Sequence, residues 1–174
     1  HLDQKVEVVV ARADEKEILR NLMEKYLYEF SQYDHKPVNA FGLYGYAWLD
    51  HYWTDRSRCP FFIKVNGALA GFALVGGDAS IFKDTRYSMN AFFLLYTYRR
   101  AGVGTKAAQR IFDMFPGIWE LKCHPGNTAA VAFWHKVITD YTGGDFTKLS
   151  MCGAAVYYDG TYGDAYRFST YPML

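Results

Sequence analysis

The chain is short of cysteine, of net charge and of long apolar runs, and each shortage removes a class of protein. Its three cysteines, Cys59, Cys123 and Cys152, form no C-x-x-C pair and cannot all be bridged. That excludes a disulfide scaffold and points to a reduced, cytoplasmic setting in which they serve as small apolar residues. A formal net charge of +1 supplies no overall field to draw nucleic acid or an anionic membrane, so neither partner is expected. Gly, Asn or Asp interrupts every apolar run before the roughly 20 residues that a membrane span requires, and nothing resembles a signal peptide. His35, His124 and His135 share no ligand spacing with one another or with the cysteines, so no metal site is expected. No G-x-S-x-G elbow exists.

What is present is a large apolar and aromatic content: 51% hydrophobic and 18% aromatic over 174 residues, with 15 Tyr and 13 Phe. A chain of this length buries a sizeable core without staples, and aromatic side chains should line any pocket. No repeat, linker or low-complexity stretch breaks the pattern, so residues 1–174 read as one domain.

Hydrophobic periodicity outlines the elements. "KVEVVVAR" (5–12) alternates as a half-buried strand. From Asp14 the apolar spacing changes to three and four, through Ile18, Leu22 and Tyr26, which predicts a helix to about Tyr33. A Pro- and Gly-bearing loop, 34–46, leads to a short helical stretch at "AWLDHYW". Two apolar strands flank Asn66-Gly67, a hairpin signal. A strand over 85–95, a glycine-bearing turn and a helix stopped by Pro116-Gly117 come next. A strand over 118–124, a helix opened by Asn127 and a terminal β hairpin complete the order. An antiparallel half joined to a β-α-β crossover predicts an α+β fold with a mixed sheet.

The turn "YRRAGVG" (98–104) is the part richest in chemical meaning. Where a strand passes through glycines into a helix, unpaired amides and the positive end of the helix dipole face outward and form an anion site. Gly102 and Gly104 permit close backbone approach, and Arg99, Arg100 and Lys106 add positive charge. An ordinary turn with solvated arginines is the plainer alternative. A Walker loop fails, because Ala107 follows Lys106. The dinucleotide fingerprint does match at Gly102, Gly104 and Ala107, with Glu120 placed to hold a ribose, although six residues separate it from its strand. A nicotinamide-dependent oxidoreductase is therefore one reading.

Arg99-x-x-Gly102-x-Gly104 resembles the R/Q-x-x-G-x-G/A signature of the GNAT superfamily of acyl-CoA-dependent N-acyltransferases. Asn127, Ala130, Phe133 and Trp134 stand at the spacing of that superfamily's N-x-x-A-x-x-F-Y helix. More narrowly, residues 91–117 look like an uncharacterised bacterial group of acetyltransferases. The resemblance implies a GNAT-like fold and acetyl-CoA as co-substrate. It implies that the amides of Arg100, Ala101, Gly102, Val103, Gly104 and Thr105 cradle the pyrophosphate beside Arg99. The backbone near Leu94 and Leu95 would bond the pantetheine, and Asn127 with its helix would border the other side. It further implies acetyl transfer to a primary amine, on a small molecule or a peptide, by direct attack in a ternary complex. A homodimer is left open.

Two departures follow. No acid lies between Asp84 and Asp113, and Ala91 stands where the closer group would place Glu. Trp134 replaces the Tyr, and an indole N–H is no practical acid. No catalytic side chain is therefore assigned. Tyr44, Tyr46, Asp50 and His51 on the presumed acceptor loops, with Ala91, are the candidates for lining the acceptor pocket; capping and packing are their alternative roles. A non-catalytic acyl-CoA-binding module is the other reading. Gly104→Asp is expected to abolish cofactor binding while leaving the fold intact.

Overall fold

A computed structural model describes residues 4–172. Seven strands form one mixed sheet in the order β1-β2-β3-β4-β5-β7-β6: β1 Val6–Val10, β2 Cys59–Val65, β3 Ala68–Gly76, β4 Tyr87–Leu94, β5 Ile118–Cys123, β6 Phe146–Val156 and β7 Tyr162–Ser169. The helices are α1 Lys16–Asp34, α2 His51–Thr54, α3 Val103–Met114 and α4 Thr128–Thr142. The expected α+β architecture is present. Asn66 and Gly67 both take positive φ, as a tight hairpin turn between β2 and β3 requires.

Helices cover both faces. Leu19, Leu22 and Met23 of α1 and Tyr52 of α2 pack on Phe62, Phe72, Leu74, Ala91 and Phe93. Ile111 and Phe112 of α3 and Trp134, Val137 and Ile138 of α4 pack on the other face, against Trp119, Leu121, Cys123 and Phe168. Each such fully buried aromatic or aliphatic side chain stabilises the fold by roughly 1.5–3 kcal/mol. Asn127 caps α4, its Oδ1 accepting from Ala130 N at 3.1 Å, and Gly143 closes the helix in the left-handed conformation.

One local irregularity positions everything that follows. Strands β4 and β5 run parallel but pair only at Tyr87↔Trp119 and Ser88↔Glu120. Just beyond, Met89 and Ala91 face consecutive residues of β3, Val75 and Leu74, so Asn90 is an extra residue in β4. Such a bulge bends its strand and sharpens its twist. Asn90 is held in place through its side chain, which donates to Tyr52 Oη at 2.8 Å and accepts from Ser88 Oγ at 2.8 Å. β4 therefore leaves β5, and a cleft opens between them.

Candidate active site

Two adjoining cavities fill the cleft. One, of about 580 Å³, runs from the 99–105 turn along β4 and α4; the other, of about 290 Å³, lies under α1 at the fork. Tyr26, Phe30, Phe92, Asn127, Ala130 and Trp134 line both, so these residues mark their junction.

The larger cavity sets backbone donors of β4 and of the 99–105 turn beside apolar side chains of α1, β4 and α4. Register with β3 places the backbone N–H and C=O of Phe92 and Leu94 on the side that β5 has vacated. Leu95, expected to share that role, is engaged inside the fold: its amide donates to Ala70 O at 2.8 Å and its carbonyl accepts from Tyr98 N at 3.0 Å. At the turn, Arg100 and Gly102 both take positive φ, and α3 begins at Val103 with no side chain capping it. Among the described residues the amides from Arg100 through Thr105 have no protein acceptor. A run of open donors at a helix start fits a phosphate group in geometry and in charge.

The side chains of the turn divide their work. Arg99 is not aimed at solvent: its guanidinium forks onto Glu29 of α1 with both contacts at 2.7 Å, and its Nε donates to Leu94 O at 2.8 Å. It also stacks 4.4 Å from the Tyr96 ring centre. The Glu29 contact holds the guanidinium even more firmly protonated than usual. Arg100 is exposed at the cavity edge and forms no ion pair among the described residues. Val103 is buried in the core, so it contributes its amide and anchors the helix start. Gly104 faces α4, and an added Cβ would lie 2.8 Å from Phe133 Cε1. The expectation that Gly104→Asp leaves the fold intact is corrected here, since Phe133 would have to move. Phe133 itself stacks on Phe92 at 5.7 Å, and Trp134 packs edge-on against Phe92 at 5.1 Å.

The smaller cavity is built from side chains. Of the candidates read from the sequence, the structure brings Tyr46 and Ala91 to it. Tyr44, Asp50 and His51 lie elsewhere, for identifiable reasons. Tyr44 donates its backbone N–H to Glu24 and its hydroxyl to Ser31 Oγ, which pins it on α1. Asp50 pairs with Lys16 at 3.0 Å and Arg20 at 3.7 Å; Lys16 holds its carboxyl below the usual range. His51 packs edge-on against Trp48 at the surface.

Glu120 stands outside the acceptor-pocket candidates read from the sequence. The dinucleotide reading would set it on a ribose, yet it lines the smaller cavity and not the larger one. It is 1% exposed and sits at the last paired position before the strands part. Its carboxylate accepts from Ser80 Oγ at 2.9 Å and from the amides of Ile81 and Phe82 at 3.2–3.3 Å. Segment 77–86 carries those donors and is tied down at both ends, by Arg58–Asp78 at 2.6 Å and by Arg167–Asp84. A sheet of this order, with its antiparallel β1–β4 half, also lacks the doubly wound topology that a dinucleotide site requires.

Strand alternation sorts the rest of β5. Trp119, Leu121 and Cys123 point into the α3–α4 core, and burial pushes the Cys123 thiol up to about 12. Glu120, Lys122 and His124 point the other way, along the floor of the smaller cavity. Cys123 and His124 thus face opposite sides of the sheet. His124 is buried, with Nδ1 accepting from Gly126 N at 3.0 Å and Nε2 facing Asp159 at 3.3 Å. Both ring nitrogens are thus engaged. Tyr26 and Tyr157 complete the walls, and burial raises both phenol pKa values well above the ordinary one.

The chain is similar to several solved structures, at identities that speak for the fold. A GNAT-family acetyltransferase from Streptococcus agalactiae superposes with a TM-score of 0.69 at 14% identity, covering 94% of this chain and 95% of the other. PaiA N-acetyltransferase from Thermoplasma acidophilum, solved with coenzyme A, gives 0.62 at 10% identity over 95% and 99%. Spermidine N-acetyltransferase from Vibrio cholerae, solved with CoA and spermine, gives 0.60 at 14% identity over 93% and 92%. No curated protein sequence matches the chain. The family model described as "Acetyltransferase (GNAT) family" matches residues 16–138. With the open amides at α3, the fork between β4 and β5 and that match in agreement, the chain belongs to the GNAT acetyltransferase family.

Proposed function

We propose that this protein transfers an acetyl group from acetyl-CoA to a primary amine held in the smaller cavity, with Glu120 receiving the amine's proton. Acetyl-CoA is the co-substrate, and when bound it supplies an activated thioester. The open amides from Arg100 to Thr105 hold its phosphates, and the α4 face with Asn127, Ala130 and Phe133 borders its arm. The Leu94 and Phe92 amides face the same cavity and can donate to an acyl oxygen as it gathers negative charge. As the new C–N bond forms, the C–S bond breaks, the amine proton passes to Glu120, and the released thiolate takes a proton from solvent.

The single observation that carries this reading is a buried carboxylate at the fork, facing a cavity that shares a wall with the phosphate-binding one. A general base must reach the proton it removes and must be ionised when it acts. Glu120 forms no ion pair among the described residues, and Ser80 Oγ and the amides of Ile81 and Phe82 donate to its carboxylate, which fixes its position at the fork. The acid that β4 lacks at Ala91 is thereby supplied from the neighbouring strand.

Calorimetric titration with acetyl-CoA, with NADH in parallel, tests the cofactor. Saturable binding of acetyl-CoA alone is the expected result. Thiol release with a panel of primary amines then tests turnover. Binding without thiol release above hydrolysis background would make the protein an acyl-CoA-binding module.

A further inference from the structure

The floor of the smaller cavity carries two opposite charges that do not meet. Glu120 and Lys122 are two residues apart on one strand, hence on one face, with their Cα atoms about 7 Å apart. They form no salt bridge. The reason is visible on each side. Glu120 is drawn to the amides of segment 80–82, while the Lys122 ammonium lies 4.7 Å from the centre of the Tyr157 ring. Among the described residues no carboxylate lies within 4.0 Å of that ammonium. Desolvation lowers the Lys122 pKa, and the Glu120 charge only partly offsets this. His124, the next residue on the same face, is closed off by Gly126 and Asp159. Asp34, which also lines the cavity, accepts from Lys36 N at 3.1 Å.

We propose that the acceptor is an aminocarboxylate, its amine directed to Glu120 and its carboxylate paired with Lys122. The proposal rests on the acetyl-transfer reading for the role of Glu120, but the recognition itself needs only the two separated charges. An amine with no anionic group would leave the Lys122 ammonium without a counter-charge in an aromatic-walled cavity. A diamine would bring a second cation against it, which costs binding energy in a partly desolvated site.

The test uses the full chain with saturating acetyl-CoA. Aminocarboxylates from glycine to 6-aminohexanoate are compared with the matched alkylamines lacking the carboxylate, and with diamines of three to five carbons. The expected result is a preference of about ten-fold or more in kcat/KM for the best aminocarboxylate over its matched amine, the worth of one charge-assisted contact. Lys122→Met should bring that ratio close to one through a higher KM, and Lys122→Arg should restore most of it. Because Lys122 is an exposed residue outside the core clusters, neither variant disturbs the core. A diamine preference, or a ratio that survives Lys122→Met, overturns the proposal while leaving acetyl transfer standing. Calorimetry with CoA-loaded protein separates the two ideas. Lys122-dependent binding of an aminocarboxylate without turnover keeps this proposal and removes the catalytic one. Absence of both binding and turnover for every aminocarboxylate removes this one.

Discussion

The two cavities solve different problems with different materials. The larger offers its polar groups chiefly as backbone, with open amides at the start of α3 and at the end of β4 beside apolar walls. The smaller is lined by side chains delivered by α1, Tyr46, Ser80 and Ile81, β4, β5, α4 and the β6–β7 turn. Backbone donors recognise what every acyl-CoA has in common, because phosphates and a pantetheine arm ask only for N–H groups, charge and width. Side-chain walls can vary residue by residue without disturbing that recognition. The difference bears on where specificity would reside: on the proposed reading, the larger cavity answers to the cofactor that the family shares and the smaller one to the acceptor.

The strongest way to break this division is at Glu120. Glu120→Gln keeps the size and can still accept from Ile81 and Phe82, so the fold should persist while kcat falls by about 10²–10³. Acetyl-CoA affinity, read by calorimetry, should not change. A fall in both would mean that the residue only anchors segment 80–82.

The matching change in the other half is Gly102→Asp. Nothing lies within 4 Å of an added Cβ there, and Asp tolerates positive φ better than most residues. A carboxylate at the helix start should compete with phosphate and raise the acetyl-CoA Kd about 30- to 100-fold, roughly the worth of one charge-assisted bond. Initial rates at saturating acetyl-CoA should stay near those of the parent. An unchanged Kd would place the phosphates elsewhere.

Arg99 joins the two halves, tying α1 to the end of β4. Removing its charge leaves Glu29, about a quarter exposed, without its partner. Arg99→Met should lower stability by about 1–2 kcal/mol in urea unfolding, with a smaller effect on acetyl-CoA binding than Gly102→Asp. The reverse ranking would make Arg99 a phosphate ligand in solution.

The smallest effect sharpens the contrast between the two faces of β5. Cys123 points into the dry core, with its thiol pushed up to about 12 by burial. It should resist alkylation in the native protein at pH 8 and react once the chain is unfolded, as peptide mass mapping can show. Native labelling at the solvent rate would mean that this face opens.

What was legible in the sequence was local. Alternation in 5–12, the spacing of Ile18, Leu22 and Tyr26, the Asn66-Gly67 turn and the Asn127 cap each declare an element within a few residues, because each reflects a backbone preference or a single amphipathic face. The glycine turn before α3 was legible for the same reason, since its open amides follow from chain geometry alone. Only the tertiary structure decided what those elements meet. It inserted β7 between β5 and β6, and bent β4 away from β5 through an extra residue at Asn90. It paired Arg99 with Glu29, 70 residues back, and set Glu120 beneath donors some 40 residues earlier in the chain. Those contacts depend on which faces pack together, and no short-range spacing carries that information. The helix-start turn could therefore be picked out from a motif, while the smaller cavity, proposed to hold the acceptor, came into view only when the strands were seen to part.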